Sequence, residues 1–427
     1  MSSNWRRYSR LRITPRSATT EAAVAVRGRR EVQSLFLRRG ADRRLRGGHL
    51  WVYSNEVDTA RSQLSGFAAG DEVAVRDSGG NLLGSAYMDP HSLICARVYQ
   101  RLEERPLDRD WCALRIRAAL ALRERFFDRP YYRLVYGDSD GMPGLVLDRY
   151  GDCLVLQLNN PGLEPHIDAL RDAIVEVMAP AGVVLRRDSR SRREQGAEQP
   201  GELLCGVVPE RLQLEENGAQ FSVPAYEGQK TGWFYDHRMS RARLAGLAGG
   251  GRVLDVYSYV GGWGVQAALA GAREVMCVDS SRRALEAVGL NAALNGVQER
   301  VHTRRGGAPE VMNELRAAGE RFDIVILDPP AFVQRRKDLK KGISAYRRVN
   351  EAALGLLEPG GMLVSASCSM HLSRTDLIGA MQQAAVRAGC GLAIVEQGGQ
   401  GPDHPVHPAI PETEYLKTVF AYRLPAL

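Results

Sequence analysis

The chain has 427 residues, 44% hydrophobic and 25% charged, ordinary values for a soluble globular protein of two or three domains. No run of 18 uncharged apolar residues occurs and Met1 to Arg16 has no apolar core, so neither a membrane span nor a secretion signal is expected. Charge is unevenly placed: residues 1–50 hold 13 arginines, no lysine and three acids, a net of +10 in a chain that nets +7.

A basic N-terminal region on a slightly acidic body suggests a polyanion partner, or else a solvated tail. Residues 1–30 read as a disordered basic extension. The seven cysteines are scattered, odd in number and without CxxC spacing, which argues against a disulfide framework or a zinc site. A reducing cytoplasm and no metal are therefore expected.

From about Glu31 to Gln100, short runs such as "SLFLRRG", "DEVAVRD", "LLGSAYM" and "LICARVY" are broken by glycine and asparagine. That pattern predicts a small, mostly β barrel over residues 31–102. A second block, residues 103–212, opens with "WCALRIRAALALRERFF" at helical spacing. Strands "GLVLDRY" and "CLVLQLN" follow, joined by a Gly151–Asp152 turn, then the helix "IDALRDAIVEVM", the strand "GVVLRRD" and a polar loop from Ser189 to Gly201.

The third block, residues 213–427, alternates strand and helix. "RVLDVYS", "EVMCVDS", "DIVILDPP" and "GMLVSASCS" are nearly all apolar, which predicts a parallel sheet covered on both faces, with a ligand beyond the carboxyl ends of its strands. "QRRKDLKKG", Gln334 to Gly342, reads as a mobile basic loop.

In "LDVYSYVGGWG", Gly261 and Gly262 lack a Cβ at the start of a helix, so backbone can approach a ligand there. The next strand ends in Asp279, 24 residues after Asp255, where a carboxylate can accept both hydroxyls of a ribose. The turn has neither a phosphate-binding lysine nor a pyrophosphate cradle. A nucleoside cofactor is favoured over a dinucleotide, and S-adenosylmethionine fits. "LDPPAF" fixes Asp328 at the tip of the fourth strand, because two prolines stop that strand.

These motifs, with "GQKTGWFYDHR" (Gly228 to Arg238) and "SCS" (Ser367 to Ser369), resemble the bacterial PUA-domain-containing class I methyltransferases of 23S ribosomal RNA that act on cytosine C5. "RRLRGGHLWVYSNEV" and "GNLLGSAYMDPHSLICARV" resemble the PUA domain of that family, and "YGDSDGMPGLVLDRYGDCLVLQ" its central α+β domain. The resemblance runs from about Glu31 to the C-terminus. It implies a Rossmann-like methyltransferase domain behind an RNA-binding barrel, with S-adenosylmethionine as cofactor and large-subunit ribosomal RNA as partner; a homodimer stays open.

By that resemblance Cys368 is the nucleophile and Asp328 orients the pyrimidine. Lys230, Thr231, Asp236 and Arg238 meet the methionine end of the cofactor. Asp255, Tyr257, Ser258, Gly261, Gly262, Asp279, Ser280, Gly307, Ala308 and Asp328 complete its site. The family usually has an adenine-contacting Asp after strand three, where this chain has Gly306, Gly307 and Ala308, so a backbone contact is expected instead. Arg43, Arg44, Arg46, His49, Trp51 and Tyr53 are the candidates for RNA contact, with barrel core as the equal alternative for the three rings.

The chemistry of the cysteine fits the resemblance. Cytosine C5 is a poor nucleophile until a thiolate adds at C6, so covalent catalysis needs one cysteine at the mouth of the cofactor site. A lone cysteine is more often a small buried hydrophobe. The strand-tip position and the neighbouring Asp328 favour the nucleophile. Methylation of uracil C5 or guanine N2, a small-molecule methyltransferase, and a non-catalytic RNA-binding protein with a degenerate fold are the alternatives.

Overall fold

A computed structural model describes residues 32–187, 200–227 and 231–425; the basic extension, most of the polar loop and Lys230 lie outside the described residues. Strands Gln33–Phe36, Trp51–Tyr53, Glu72–Arg76, Leu82–Met88 and Ile94–Arg101 form one sheet in the order first, third, fourth, fifth, second. A Leu37–Val57 bridge joins its two edges, curving it around Leu35, Val52, Val73, Val75, Ala86 and Val98. Alternation in "EVAVR" supplies Val73 and Val75 to that core.

The central domain opens with helix Arg109–Arg123, whose first turn is capped by Asp108 accepting from the Trp111 N–H at 2.9 Å. Its sheet runs in chain order through Tyr131–Tyr136, Leu145–Tyr150, Cys153–Leu158, Gly182–Arg187 and Glu202–Gly206. Helix Ile167–Met178 crosses over between the parallel third and fourth strands. A hairpin, Arg211–Glu216 and Ala219–Pro224, comes next. Its turn is Asn217–Gly218, both residues at positive φ (53° and 81°), the pairing that two-residue hairpins favour. The boundary expected at 212/213 therefore cuts a strand. Leu212, Leu214, Phe221 and Val223 pack into the core of the domain that follows.

That domain holds seven strands: β1 (Arg252–Val256), β2 (Glu274–Asp279), β3 (Val301–Arg305), β4 (Phe322–Leu327), β5 (Leu357–Ser367), β6 (Gly391–Gly398) and β7 (Lys417–Leu424). Their order is β3-β2-β1-β4-β5-β7-β6. The first five are parallel, as the apolar runs predict. The all-parallel expectation fails at one edge, where β7 lies antiparallel against β5 and β6 antiparallel against β7. Strand order reverses between β1 and β4, which puts a ligand crevice at their carboxyl ends.

Helices α1 (Gly264–Leu269), α2 (Arg282–Leu294), α3 (Ala308–Ala317), α4 (Leu339–Leu354) and α5 (Arg374–Arg387) accompany the strands. Alternate strand residues feed two cores, one around Val253, Val275, Ile324 and Val364 and the other around Leu254, Val278, Val325 and Leu363. The segment read as a basic loop is partly helical, since α4 begins at Leu339. Gly342 is needed there, because a Cβ on it would stand 2.1 Å from a Val333 methyl. No described helix is long and apolar enough to cross a membrane.

Candidate active site

The chain leaves β1 through a tight, strained turn. Tyr257 and Tyr259 hold φ of 68° and 48°, a left-handed conformation costly for any residue with a Cβ. The turn is fastened to β2: the N–H groups of Tyr257 and Ser258 both donate to the Val278 carbonyl, at 2.9 and 3.0 Å. Asp279 accepts from the N–H of Tyr259 at 3.0 Å and of Ser281 at 2.8 Å, so its carboxylate is fixed beside the turn. Ser280 next to it is exposed. Gly261 has φ 86°, and a Cβ on Gly262 would crowd the Trp233 ring at 3.2 Å.

Gly264, quoted in the sequence motif but not singled out, carries as much of the geometry. Its N–H donates to Asp255 Oδ2 at 2.9 Å, and a Cβ there would stand 2.6 Å from the Cys277 sulfur. Asp255 is fully buried and its other oxygen has no hydrogen-bond partner. Burial above all, then the charges of Asp328 and Asp279, push Asp255 up to about 7 against the pull of that N–H. Three carboxylates thus converge at the ends of β1, β2 and β4. The ionised Asp328 among them suits a cofactor carrying a sulfonium and an ammonium.

Asp328 is 22% exposed, with Oδ1 at 3.2 Å from His237 Nε2 and Oδ2 accepting from the Trp263 indole N–H at 3.1 Å. Burial would raise its pKa, but the charge and hydrogen bond of His237 and the bond from Trp263 outweigh that and hold it below the usual carboxylate range. The His237 and Trp263 rings lie 5.2 Å apart. His237 is a site residue that the sequence reading passed over, although it stands inside the quoted "GQKTGWFYDHR".

The rest of that segment packs against the cofactor turn, through the Phe234 and Tyr259 rings at 5.4 Å and a Tyr259 hydroxyl donating to the Gly232 carbonyl at 3.2 Å. Its polar side chains have other work. Thr231 is fully buried and donates to Asp148; Asp236 is buried and accepts from the Tyr415 hydroxyl. Arg238 is buried, donates to the Tyr131 carbonyl, lies 3.5 Å from Glu216 and stacks on Phe127 and Tyr235. These contacts brace the segment, so gripping the methionine end is not the arrangement seen for Thr231 or Arg238. The anchor is Glu216, also unread in the sequence: it takes Arg241 at 2.6 Å, the Trp233 indole at 3.0 Å and Gln266 at 3.0 Å.

After β3, Gly307 precedes the first residue of α3, Ala308. A side chain at 307 would run into the Glu310 carboxylate. Burial first, then the charge of Glu310 among others, raise Tyr257 to about 12. A carboxylate therefore does stand in the stretch where the sequence lacks an Asp.

β4 and β5 are parallel neighbours with Leu327 opposite Ser365, so Asp328 and Cys368 leave adjacent strand tips on the same edge. Cys368 is partly exposed between Ser367 and Ser369, which are both fully buried. The two serines are held from α4: the Ser367 hydroxyl donates to the Tyr346 hydroxyl at 2.8 Å, and Tyr346 and Ser369 share a hydroxyl pair at 3.0 Å. Ser369 also accepts from the Val333 N–H at 3.1 Å, tying the strand to the loop after Asp328.

On the barrel, Arg43 is exposed, Arg46 pairs with Asp42 and Asp77, and Arg44 pairs with Glu56 beneath the Tyr53 ring. His49 is buried and its Nδ1 accepts from the Trp51 N–H at 3.0 Å. Of its two readings, Trp51 takes the core one. It belongs to the barrel core and its indole N–H donates to Asp138 of the central domain at 2.7 Å, so its ring is not available to stack on a base.

Comparison with known proteins agrees with this geometry. A PUA-like domain profile matches residues 35–101, and the profile of the S-adenosylmethionine-dependent methyltransferases matches residues 145–417. The curated ribosomal RNA large subunit methyltransferase I of Erwinia tasmaniensis is 37% identical over 390 residues, 90% of this chain and 97% of that protein. The protein of the same name from Vibrio cholerae is 34% identical over 392 residues, 90% of this chain and 98% of that one. A solved structure from Streptococcus mutans shares the fold, with TM-score 0.78 and 20% identity over 92% of this chain and 100% of that one. Another, a methyltransferase complexed with SAH by its description, superposes with TM-score 0.80 at 19% identity, covering 92% of this chain and all of that one. The chain is an S-adenosylmethionine-dependent methyltransferase with a PUA-like domain ahead of the catalytic one, and it belongs to the family of the curated ribosomal RNA large subunit methyltransferase I proteins.

Proposed function

We propose that the protein methylates C5 of a cytosine in large-subunit ribosomal RNA through a covalent bond from Cys368 to C6 of the base. The observation that carries this reading is the parallel pairing of β4 with β5, with Asp328 and Cys368 on adjacent tips beside the carboxylate-rich turn. The names of the full-length relatives support ribosomal RNA as the substrate, and the PUA-like domain supports an RNA partner. S-adenosylmethionine, when bound, supplies an electrophilic methyl group.

In this reading the target base leaves its stack to enter the crevice. Cys368 sulfur bonds to C6, and the electrons of the 5,6 double bond shift through the ring, so that C5 becomes nucleophilic. Asp328, held by His237 and Trp263, accepts from the exocyclic amine and faces N3. Once C5 is methylated, loss of its proton to a base and departure of the sulfur from C6 restore the aromatic ring and the thiolate. Asp279 and the Gly261–Gly262 turn hold the cofactor, and the buried Asp255 braces that turn through the Gly264 N–H. Arg43 and the other barrel arginines lie against the RNA backbone.

Cys368→Ala, assayed for methyl transfer to ribosomal RNA with the product mapped by mass spectrometry, tests the reading. Loss of 5-methylcytosine with cofactor binding retained is expected. Retained transfer, or methylation of an amino group such as guanine N2, contradicts it, because an amino nitrogen needs no thiol.

A further inference from the structure

We propose that Lys417 is a positioning residue whose ammonium holds Cys368 in its thiolate form. The inference rests on Cys368 being the nucleophile proposed above, and it concerns a residue that β7, the strand missing from the sequence reading, brings to the site. Lys417 begins β7 and stands directly opposite Ser367 in the antiparallel pairing with β5. It is only 6% exposed, and its ammonium donates to the Ser369 carbonyl at 2.6 Å, so it closes over the backbone that carries Cys368.

An ammonium taken out of water needs a compensating anion. A single carbonyl dipole supplies only part of that. The charged groups facing Lys417 are Cys368 on the exit of β5, Arg374 in the first turn of α5, and Glu414 on the loop leading into β7. Arg374 disfavours the ammonium, whereas a Cys368 thiolate and Glu414 favour it. Burial is the largest influence and pushes Lys417 down to about 8, so the amine remains protonated at neutral pH. From the α4 side Cys368 faces Tyr346, whose pKa burial raises, so that it stays neutral and adds no competing charge.

The proton balance is simple. The pair carries one proton, on Lys417 rather than on sulfur, before attack on C6; after the sulfur leaves C6, thiolate and ammonium are restored, with no net proton exchanged between them. The two sites titrate as a pair.

The test is the pH dependence of Cys368 alkylation by iodoacetamide in the full chain, read on the Cys368 peptide by mass spectrometry. In the wild type the reactive thiolate is expected to titrate below the ordinary thiol value of about 8.5. Lys417→Met should raise the midpoint by a unit or more and slow alkylation at pH 7 by roughly tenfold. Lys417→Arg should keep the midpoint close to wild type. Should the Met variant not fold, Lys417→Gln keeps a donor for the Ser369 carbonyl without the charge and gives the same comparison. An unchanged midpoint in a folded Met or Gln variant overturns the proposal, whatever happens to methyl transfer. Methyl transfer retained by Cys368→Ala would instead overturn the nucleophile reading, and leaves this coupling measurable on its own.

Discussion

Asp255 makes the electrostatics of the crevice measurable. Its carboxyl is buried near Asp279 and Asp328 and is pushed up to about 7 in the folded protein, from an ordinary value of 3.8. The folded state thus binds a proton that the unfolded chain releases, and stability falls as pH rises from about 4 to about 7. Asn at this position keeps an acceptor for the Gly264 N–H without a charge. The difference in melting temperature between Asp255→Asn and wild type should grow in favour of the variant across that window and level off above it. Equal pH dependence in the two proteins would mean that burial and the neighbouring carboxylates do not hold Asp255 protonated. Asp279 and Asp328 were legible in the sequence because each ends an apolar run, and Asp255 because it lies in the strand before the glycine turn. Glu216, His237 and Glu310 were not, since their roles depend on which segments meet them in space.

At the scale of elements, the serine pair flanking Cys368 explains how a strand can end in a partly exposed thiol without fraying. The Tyr346 hydroxyl from α4 meets both Ser367 and Ser369, and all three side chains are fully buried. Tyr346→Phe leaves both serines short of a partner, a loss of about 1–3 kcal/mol. Chemical denaturation should show that loss, together with slower methyl transfer; unchanged stability would remove the brace from the account. Strand and helix alternation was readable through β5, whereas β7 was missed although Lys417 to Ala421 are all buried. The misreadings have physical causes. β6 is an edge strand with Ile394 and Val395 exposed, so it lacks the continuous apolar run of β1 or β4. α4 opens on charged residues whose helical state depends on packing around Gly342. The Asn217–Gly218 turn is a strong local hairpin signal that the sequence reading passed over.

Across the whole molecule, the loop between β6 and β7 links the three domains. Asp403 accepts from the Arg133 N–H at 3.1 Å, and its carbonyl accepts from Arg123 at 2.9 Å, both in the central domain. Ile410, from the same loop, is fully buried in the core of the PUA-like barrel. The chain then enters β7 at Lys417, which bears on the strand end carrying Cys368. Contacts spanning 280 positions in sequence leave no local pattern, which is why this connection could not be read beforehand. Ile410→Ala should cost about 2–5 kcal/mol. The loss should appear as early unfolding of the barrel in a calorimetric scan, whereas an unaltered scan would deny the loop its linking role.

The central claim, a covalent bond from Cys368 to the target base, is tested most directly with ribosomal RNA containing 5-fluorocytosine. Fluorine at C5 cannot depart as a cation, so the elimination that frees the enzyme is blocked after methyl transfer. Wild-type protein with S-adenosylmethionine should form an RNA adduct that survives denaturing electrophoresis, with the RNA mapped to the Cys368 peptide, and Cys368→Ala should form none. Absence of an adduct with the wild type under conditions that methylate ordinary RNA, or an adduct that persists in Cys368→Ala, would contradict it.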